Sequence, residues 1–373
     1  MLTAVTLPYS KTLIGAIPVI VLQSSLPVVF SLSSMDDGTV FTETYTPDAN
    51  DTIRIYDIDK IIATYLTAEP DEDGNLIRYR NLAKEFTLTA SNGDDEDITA
   101  TFLAVRGKVN FLGDCAVFFD ENFFTLLPGT KKSNPLQKEY LSFLTGTGVH
   151  TISVAATALS GNVINATLET FTPTENAVYT YLINLAAAGI DVLHLKSYVI
   201  TLASGDRTIT FEYVMDNAYY ETAQQFLFVN SFGVPESIVF TGAVSMDMDH
   251  SKKITVNTLS GKRRVGYLEQ INTIHTGILP SNEAAIWLWD FFDSEYTAIQ
   301  YNGVAGARRI VVSDPQTPFN PFDALTRDYT FSYLFARERD NYWFLFTQRP
   351  VIAAITDDNE TAITDDNELI ITD

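Results

Sequence analysis

At 373 residues the chain is too long for one ordinary hydrophobic core, and at roughly 100–200 residues per domain it predicts two to four units. Hydrophobic residues at 46% and charged residues at 19% exclude a disordered polypeptide, and 12% aromatics favour pleated, half-buried surfaces. A formal charge of −23 argues against nucleic acid, where Lys and Arg must displace counterions from phosphate, and against anionic membranes, while the single Cys115 excludes an internal disulfide.

The apolar run Leu13 to Leu32 contains Pro18, Gln23, Ser24, Ser25 and Pro27, so it reads as two short strands around a Gln-Ser-Ser corner and not as a membrane-inserting or export segment. Synthesis in the cytoplasm follows as the expectation. Val28 to Leu32 and Thr39 to Tyr45 flank Met35-Asp36-Asp37-Gly38, where Asp-Gly supplies the positive φ of a hairpin turn. Thr52 to Tyr56 alternates as a strand. Asp57 then stands as N-cap of a helix over about 57–67, with Ile58, Ile61, Ile62 and Tyr65 at helical spacing.

A second hairpin joins Lys84–Thr89 to Ile98–Val105 through an acidic loop. Cys115 falls in the apolar run Phe111 to Phe119 and reads as a small core hydrophobe. Pro128 to Pro135 reads as a linker-like loop. Strand-length runs at 150–155, 163–171, 179–185, 193–202 and 207–214 predict an immunoglobulin-like sandwich without its Cys-Trp-Cys hallmark. Tyr45-Thr46-Pro47-Asp48-Ala49-Asn50 recurs loosely as Phe171-Thr172-Pro173-Thr174-Glu175-Asn176, through duplication or through the shared turn chemistry of Thr-Pro.

Gln225 to Gly242 reads as strand, Gly/Pro corner, strand. Ile254 to Thr258 is a further strand, and Ser260 to Arg264 a basic turn. Ser281 is placed to cap an amphipathic helix over about 281–293, with Glu283 at its positive end. Tyr329 to Phe335 and Tyr342 to Phe346 read as final strands around Arg337 to Asn341. The end of the chain repeats Ile-Thr-Asp-Asp-Asn-Glu at 355–360 and 363–368; its seven acidic residues take the charge from −23 to −16 on removal (23 − 7). The expected architecture is therefore mainly β: multidomain β-sandwich or barrel with two short helices, divided as 1–145, 146–225, 226–350 and an acidic tail 351–373.

Chemistry-bearing patterns are sparse. His150, His194, His250 and His275 lack the spacing of a metal or nucleophile site, and no Walker, dinucleotide or nucleophile-elbow motif occurs. No cofactor is implied, and no enzymatic activity. A glycosidase would need two carboxylates flanking a cleft, and 47 acidic residues give that pattern no specificity. Asp71, Asp73 and Asn75 place oxygens at alternate positions, as a calcium loop or as an acidic solvated turn, without the EF-hand glycine or terminal Glu. Met246-Asp247-Met248-Asp249-His250 reads as a strand with a Met face toward the core or as a metal site. Trp287 and Trp289 lie about 200° apart around a helix, so one is expected in the core and the other toward a partner. With Asp357, Asp358, Asp365 and Asp366 of the tail they form the candidate interaction residues.

Several of these segments are similar to segments of uncharacterised phage and prophage virion proteins. The resemblance is carried by Met35 to Val40 with Tyr45 to Ala49 and Ile53 to Leu66, by Phe228-Val229-Asn230-Ser231-Phe232-Gly233, by Thr276 to Leu288, and by Phe331-Ser332-Tyr333. It implies a non-enzymatic tail-tip or baseplate-associated part that resembles distal tail proteins. Such a part would reside in the virion, form a homo-oligomer and contact other virion proteins. The alternative expectation is a carbohydrate-binding module that recognises a host surface glycan.

Overall fold

The computed structural model describes residues 1–70, 74–108, 115–135, 137–220, 222–250, 254–256, 263–265, 268–277, 279, 282–300, 307–316 and 328–336. In the first unit, Val28, Phe30 and Leu32 alternate with Val29, Ser31 and Ser33, so the strand Val28–Ser34 presents one apolar face. It pairs with Gly38–Tyr45 across the Asp-Gly turn, where Gly38 has φ 71°, and with Ala83–Ser91 on its other side. Ile98–Val105 and the short parallel strand Lys11–Leu13 complete five strands. A second sheet of Thr3–Thr6, Ile20–Gln23 and Thr52–Ile55 faces it, and Ile20, Leu22, Ile53 and Ile55 meet Phe30, Phe86 and Phe102 in the core.

The helix Ile58–Ala63 drives Ile58 and Ile62, one turn apart, into the same core. It is shorter than expected. Asp57 precedes it in a left-handed conformation without a side-chain capping bond, its carboxylate pairing instead with Lys60 at 2.7 Å.

The second unit repeats this plan. His150–Ala158 pairs with Val163–Phe171 and with Leu195–Ser204; Arg207–Met215 follows, and Thr130–Ser133 lies parallel to it at the edge. Opposite stand Tyr140–Thr145 and Ala177–Leu182, equivalent to Ile20–Gln23 and Thr52–Ile55 of the first unit. In each unit a strand pair in one sheet interlocks with a strand pair in the other, the Greek-key arrangement of immunoglobulin-like sandwiches. The Thr46-Pro47 and Thr172-Pro173 turns both follow the outer strand of the first hairpin and lead into the next strand of the facing sheet. The two similar hexapeptides thus occupy equivalent topological places.

Strand pairing crosses position 145, since Leu76–Tyr79 and Thr130–Ser133 both join the second unit's sheets. A third helix, Cys115–Glu121, lies between the sandwiches and was not expected from the sequence. Cys115 and Phe119 are buried there, four residues apart on one face.

The third unit is one antiparallel sheet in the order Pro235–Phe240, Gln224–Val229, Thr297–Gln300, Ala307–Gln316, Thr330–Phe335, Leu268–His275, Val244–His250. Its two edge strands are consecutive in sequence, separated by residues 241–243. Four Cα steps span at most about 14 Å, whereas six strand spacings in a flat sheet would cover about 29 Å, so the sheet must curl. The helix Asn282–Phe292 packs Ala285, Leu288 and Phe291 against Phe226, Phe240 and Phe331 of this sheet. Met246 is 46% exposed, which corrects the expectation of a Met face toward the core at that position. Arg263 and Arg264 belong to the strand Arg263–Val265, paired with Ile254–Val256, and not to a turn. The strand expected over 342–346 and the repeat tail lie outside the described residues.

Candidate functional site

The three units meet at the corner between Gln224–Val229 and Pro235–Phe240. Asn230 builds it: Oδ1 accepts from the backbone N–H groups of Phe232 (3.0 Å) and Val234 (3.3 Å), and Nδ2 donates to the Phe124 carbonyl (2.8 Å) and to Glu236 Oε2 (3.0 Å). Gly233 takes φ 81°, a conformation open to glycine at no steric cost. A Cβ there would stand 2.8 Å from Arg106 Cδ, so a larger residue would also have to displace the Arg106 side chain.

The turn pushes Phe232 outward into an aromatic stack, its ring centroid 5.2 Å from Phe124 and 5.7 Å from Phe118. Leu13, Leu82 and Val105 of the first unit and Leu144 and Val178 of the second share this cluster. Around it, Ser231 donates N–H and Oγ–H to Asp290 (2.8 and 3.2 Å), Lys108 N–H donates to the Ser231 carbonyl, and Arg106 and Lys108 pair with Glu295.

A buried charged network runs from this corner toward the second sandwich. Glu236 Oε1 accepts from Trp287 Nε1 (2.8 Å) and Thr125 Oγ1 (2.7 Å). Lys131 Nζ donates to Glu139 Oε2 (2.6 Å) and to the Ser237 carbonyl (2.5 Å), and lies 5.1 Å from the centre of the Trp287 ring. Ser237 Oγ donates to Glu139 and accepts from Gln137. Burial holds the Glu236 carboxyl above its usual range despite the Lys131 charge and its three donors. Asp290 is pushed up to about 7, first by burial and then by the negative charge of Glu236, against the Ser231 bonds that lower it. A pocket of about 100 Å³ beside the network is lined by Lys131, Lys132, Gln137, Ile238, Thr276 and Trp287.

Chemically, Glu236 and Asp290 act here as acceptors that fasten the helix and the strands together. Glu236 has donors on both oxygens and is 5% exposed, so its carboxylate is tied into the fold. Among the described residues no cluster of His, Cys, Asp and Glu could hold a metal ion. His150 is buried against Phe171, His194 pairs with Asp191 and His275 with Asp328.

Trp287 lies in the core and Trp289 is 42% exposed on the opposite side of the helix. The backbone carbonyl of Asn75 accepts from Leu182 N–H at 2.6 Å, whereas Asp71 and Asp73 lie outside the described residues. Asp357, Asp358, Asp365 and Asp366 lie outside them as well. Sequence reasoning found the Gly/Pro corner but not the roles of Lys131, Glu236 and Asp290. A charged residue in a short strand that continues as Ile238-Val239-Phe240, as Glu236 is, was the available signal.

No family model matches the chain, and no curated protein matches it. Among solved structures it is similar to an I-band fragment of titin (10% identity over 73% of this chain and 92% of that one, TM-score 0.19). It is also similar to the insect immune protein hemolin (12%, covering 84% and 78%, TM-score 0.16). A third is a Ca²⁺-stabilized adhesin with which an Antarctic bacterium binds ice (12%, covering 87% and 70%, TM-score 0.14). Likenesses this distant say nothing about what the chain does, and the sandwich architecture rests on its own strand order.

Proposed function

We propose that the chain is a non-enzymatic structural subunit of a phage or phage-like particle, in the tail or baseplate, working by self-assembly and by contacts with other virion proteins. The observation that carries this reading is the corner at Asn230–Glu236, where buried polar and aromatic chemistry joins three β-units into one body. A rigid multi-unit body suits a load-bearing position. Exposed sheet edges support the same reading: Val163–Phe171 is a nine-residue edge strand with no Pro, Lys or Arg, and its Val163 is 59% exposed. Such an edge invites pairing with another chain unless a partner covers it. On this reading the protein is made in the bacterial host cytoplasm and resides in the virion.

Mass photometry over a hundredfold concentration range, on the full chain and on a form ending at Pro350, tests the proposal. A discrete ring-sized oligomer is the expected result, and its loss on truncation would give the acidic tail an assembly role. A strict monomer in both forms that also fails to bind assembled particles would sink the reading. Glycan recognition is then favoured, through the exposed Trp289 and the 91% exposed Tyr219 as stacking surfaces, and thermal stabilisation by a host glycan would measure it.

A further inference from the structure

In the second sandwich, the turn from Ala158 to Asn162 fixes which way the edge strand Val163–Phe171 aims its backbone. Ala158 N–H donates to the Asn162 carbonyl at 2.8 Å, and bonded and non-bonded pairs alternate along an antiparallel ladder. Ile164 and Ala166 are therefore bonded to Ala156 and Val154. Val163, Asn165 and Thr167, opposite Thr157, Ala155 and Ser153, turn N–H and C=O outward instead. Among the described residues no hydrogen bond reaches these outward groups, and all three residues are exposed.

The ladder slips after Thr167: Ser153 faces Thr167 and Ile152 faces Glu169, which leaves Leu168 as a bulge that bends the second half of the strand. Before the bulge, Val163-Ile164-Asn165-Ala166-Thr167 is regular and carries neither charge nor Pro. In a molecule of net charge −23 two copies repel over most of their surface, and an uncharged edge is where they can approach. The segment is also its own complement. Laid antiparallel on itself about Asn165, it sets Val163 against Thr167, both β-branched, Ile164 against the small Ala166, and Asn165 against Asn165, whose amide both donates and accepts. That register matches each outward backbone group with one of the opposite kind, about six main-chain hydrogen bonds in all, and leaves the two Glu169 side chains at opposite ends of the contact. A slip of one residue would turn the outward groups of one strand toward Ile164 and Ala166, whose own groups point the other way.

We propose that two copies of the chain pair through residues 163–167, antiparallel across a two-fold axis at Asn165, joining their five-stranded sheets into one continuous sheet. The inference rests on the self-assembly reading above and names its contact. An isologous contact closes on itself, so a larger assembly that uses it holds an even number of copies.

Cysteine exchanges in the full chain test the register, with the buried Cys115 left in place. Asn165→Cys should give a disulfide-linked dimer under mild oxidation, since the Cα atoms of a bonded pair stand about 5.5 Å apart. Val163→Cys and Thr167→Cys should cross-link when mixed and not separately, because like positions then lie about 14 Å apart. Thr210→Cys, exposed on the strand Arg207–Met215, supplies the collision rate, which Asn165→Cys should exceed by about tenfold or more. Sedimentation velocity over a hundredfold concentration range gives a second reading. Asn165→Pro removes only an outward N–H, and Asn165→Asp sets two carboxylates face to face; each should raise the dimer dissociation constant about tenfold or more while the melting temperature holds. Self-association that survives both variants, with cross-linking at 165 no faster than at 210, would overturn this contact and leave the assembly reading standing. A strict monomer overturns the contact as well, and the virion reading falls with it only if binding to assembled particles also fails.

Discussion

Trp287 Nε1 donates to Glu236 Oε1 at 2.8 Å, so the helix of the third unit grips a carboxylate on an edge strand that also carries the Ser237 partner of Lys131. That hydrogen bond joins the helix to the curled sheet, and the Lys131 bond to the Ser237 carbonyl joins the same strand to the second sandwich. Trp289, two residues on, is part of the surface.

Substituting the two tryptophans should separate these roles. Trp287→Phe removes a donor to a buried carboxylate and is expected to cost about 2–4 kcal/mol, while Trp289→Phe should cost under about 1 kcal/mol. Urea midpoints followed by far-UV circular dichroism check both, and equal losses would contradict the buried role of Trp287.

Phe232→Ala should destabilise by about 3–5 kcal/mol, because the stacked rings of Phe118 and Phe124 cannot close the space left behind. Since Phe232 joins three units, the change should loosen them before it unfolds them. Limited proteolysis would show new cutting within 106–130 at temperatures where the sandwiches keep their circular dichroism.

Lys131→Met leaves Glu139 buried without its cation and is expected to cost about 3–5 kcal/mol. The double variant Lys131→Met with Glu139→Leu should recover most of that loss, because desolvation then penalises neither side chain. Failure of the double variant to recover would mean that the pair does more than balance its own burial.

The folded-state pKa of Asp290 lies near 7, above its ordinary value of 3.8, so the folded chain holds a proton that the unfolded chain releases. Its contribution to stability is full below 3.8 and is lost as pH rises through about 7. His150 works the other way: burial lowers its pKa, so its contribution is present above about 6.5 and is lost as pH falls. Comparing wild type with Asp290→Asn cancels the histidine. Between pH 5 and pH 8 the wild type should lose about 1–3 kcal/mol relative to the variant. Parallel pH profiles for the two proteins would refute the assignment.

Much of the β-architecture was legible because its signals are local. Alternation in Val28 to Leu32 and the Asp37-Gly38 turn announce a half-buried hairpin, and Ile58 with Ile62 announces a helix, in windows shorter than ten residues. The helix Cys115–Glu121 was not legible: Phe118 and Phe119 are adjacent, so the run has neither a clear period of two nor one of 3.6, and packing against the corner and the sheets decides it.

The sequence by itself determined the mainly β class, the turns at Gly38 and Gly233, and the amphipathic helix that separates Trp287 from Trp289, because each depends on residues a few positions apart. Tertiary structure alone decided that Thr130–Ser133 runs parallel to Arg207–Met215, that the seven-stranded sheet curls until its edges adjoin, and that Lys131, Glu139, Glu236 and Asp290 share one buried junction. Those partners lie up to about a hundred and sixty positions apart. Whether a charge so placed is stabilised depends on which side chains surround it after folding, and local patterning carries no record of that distance.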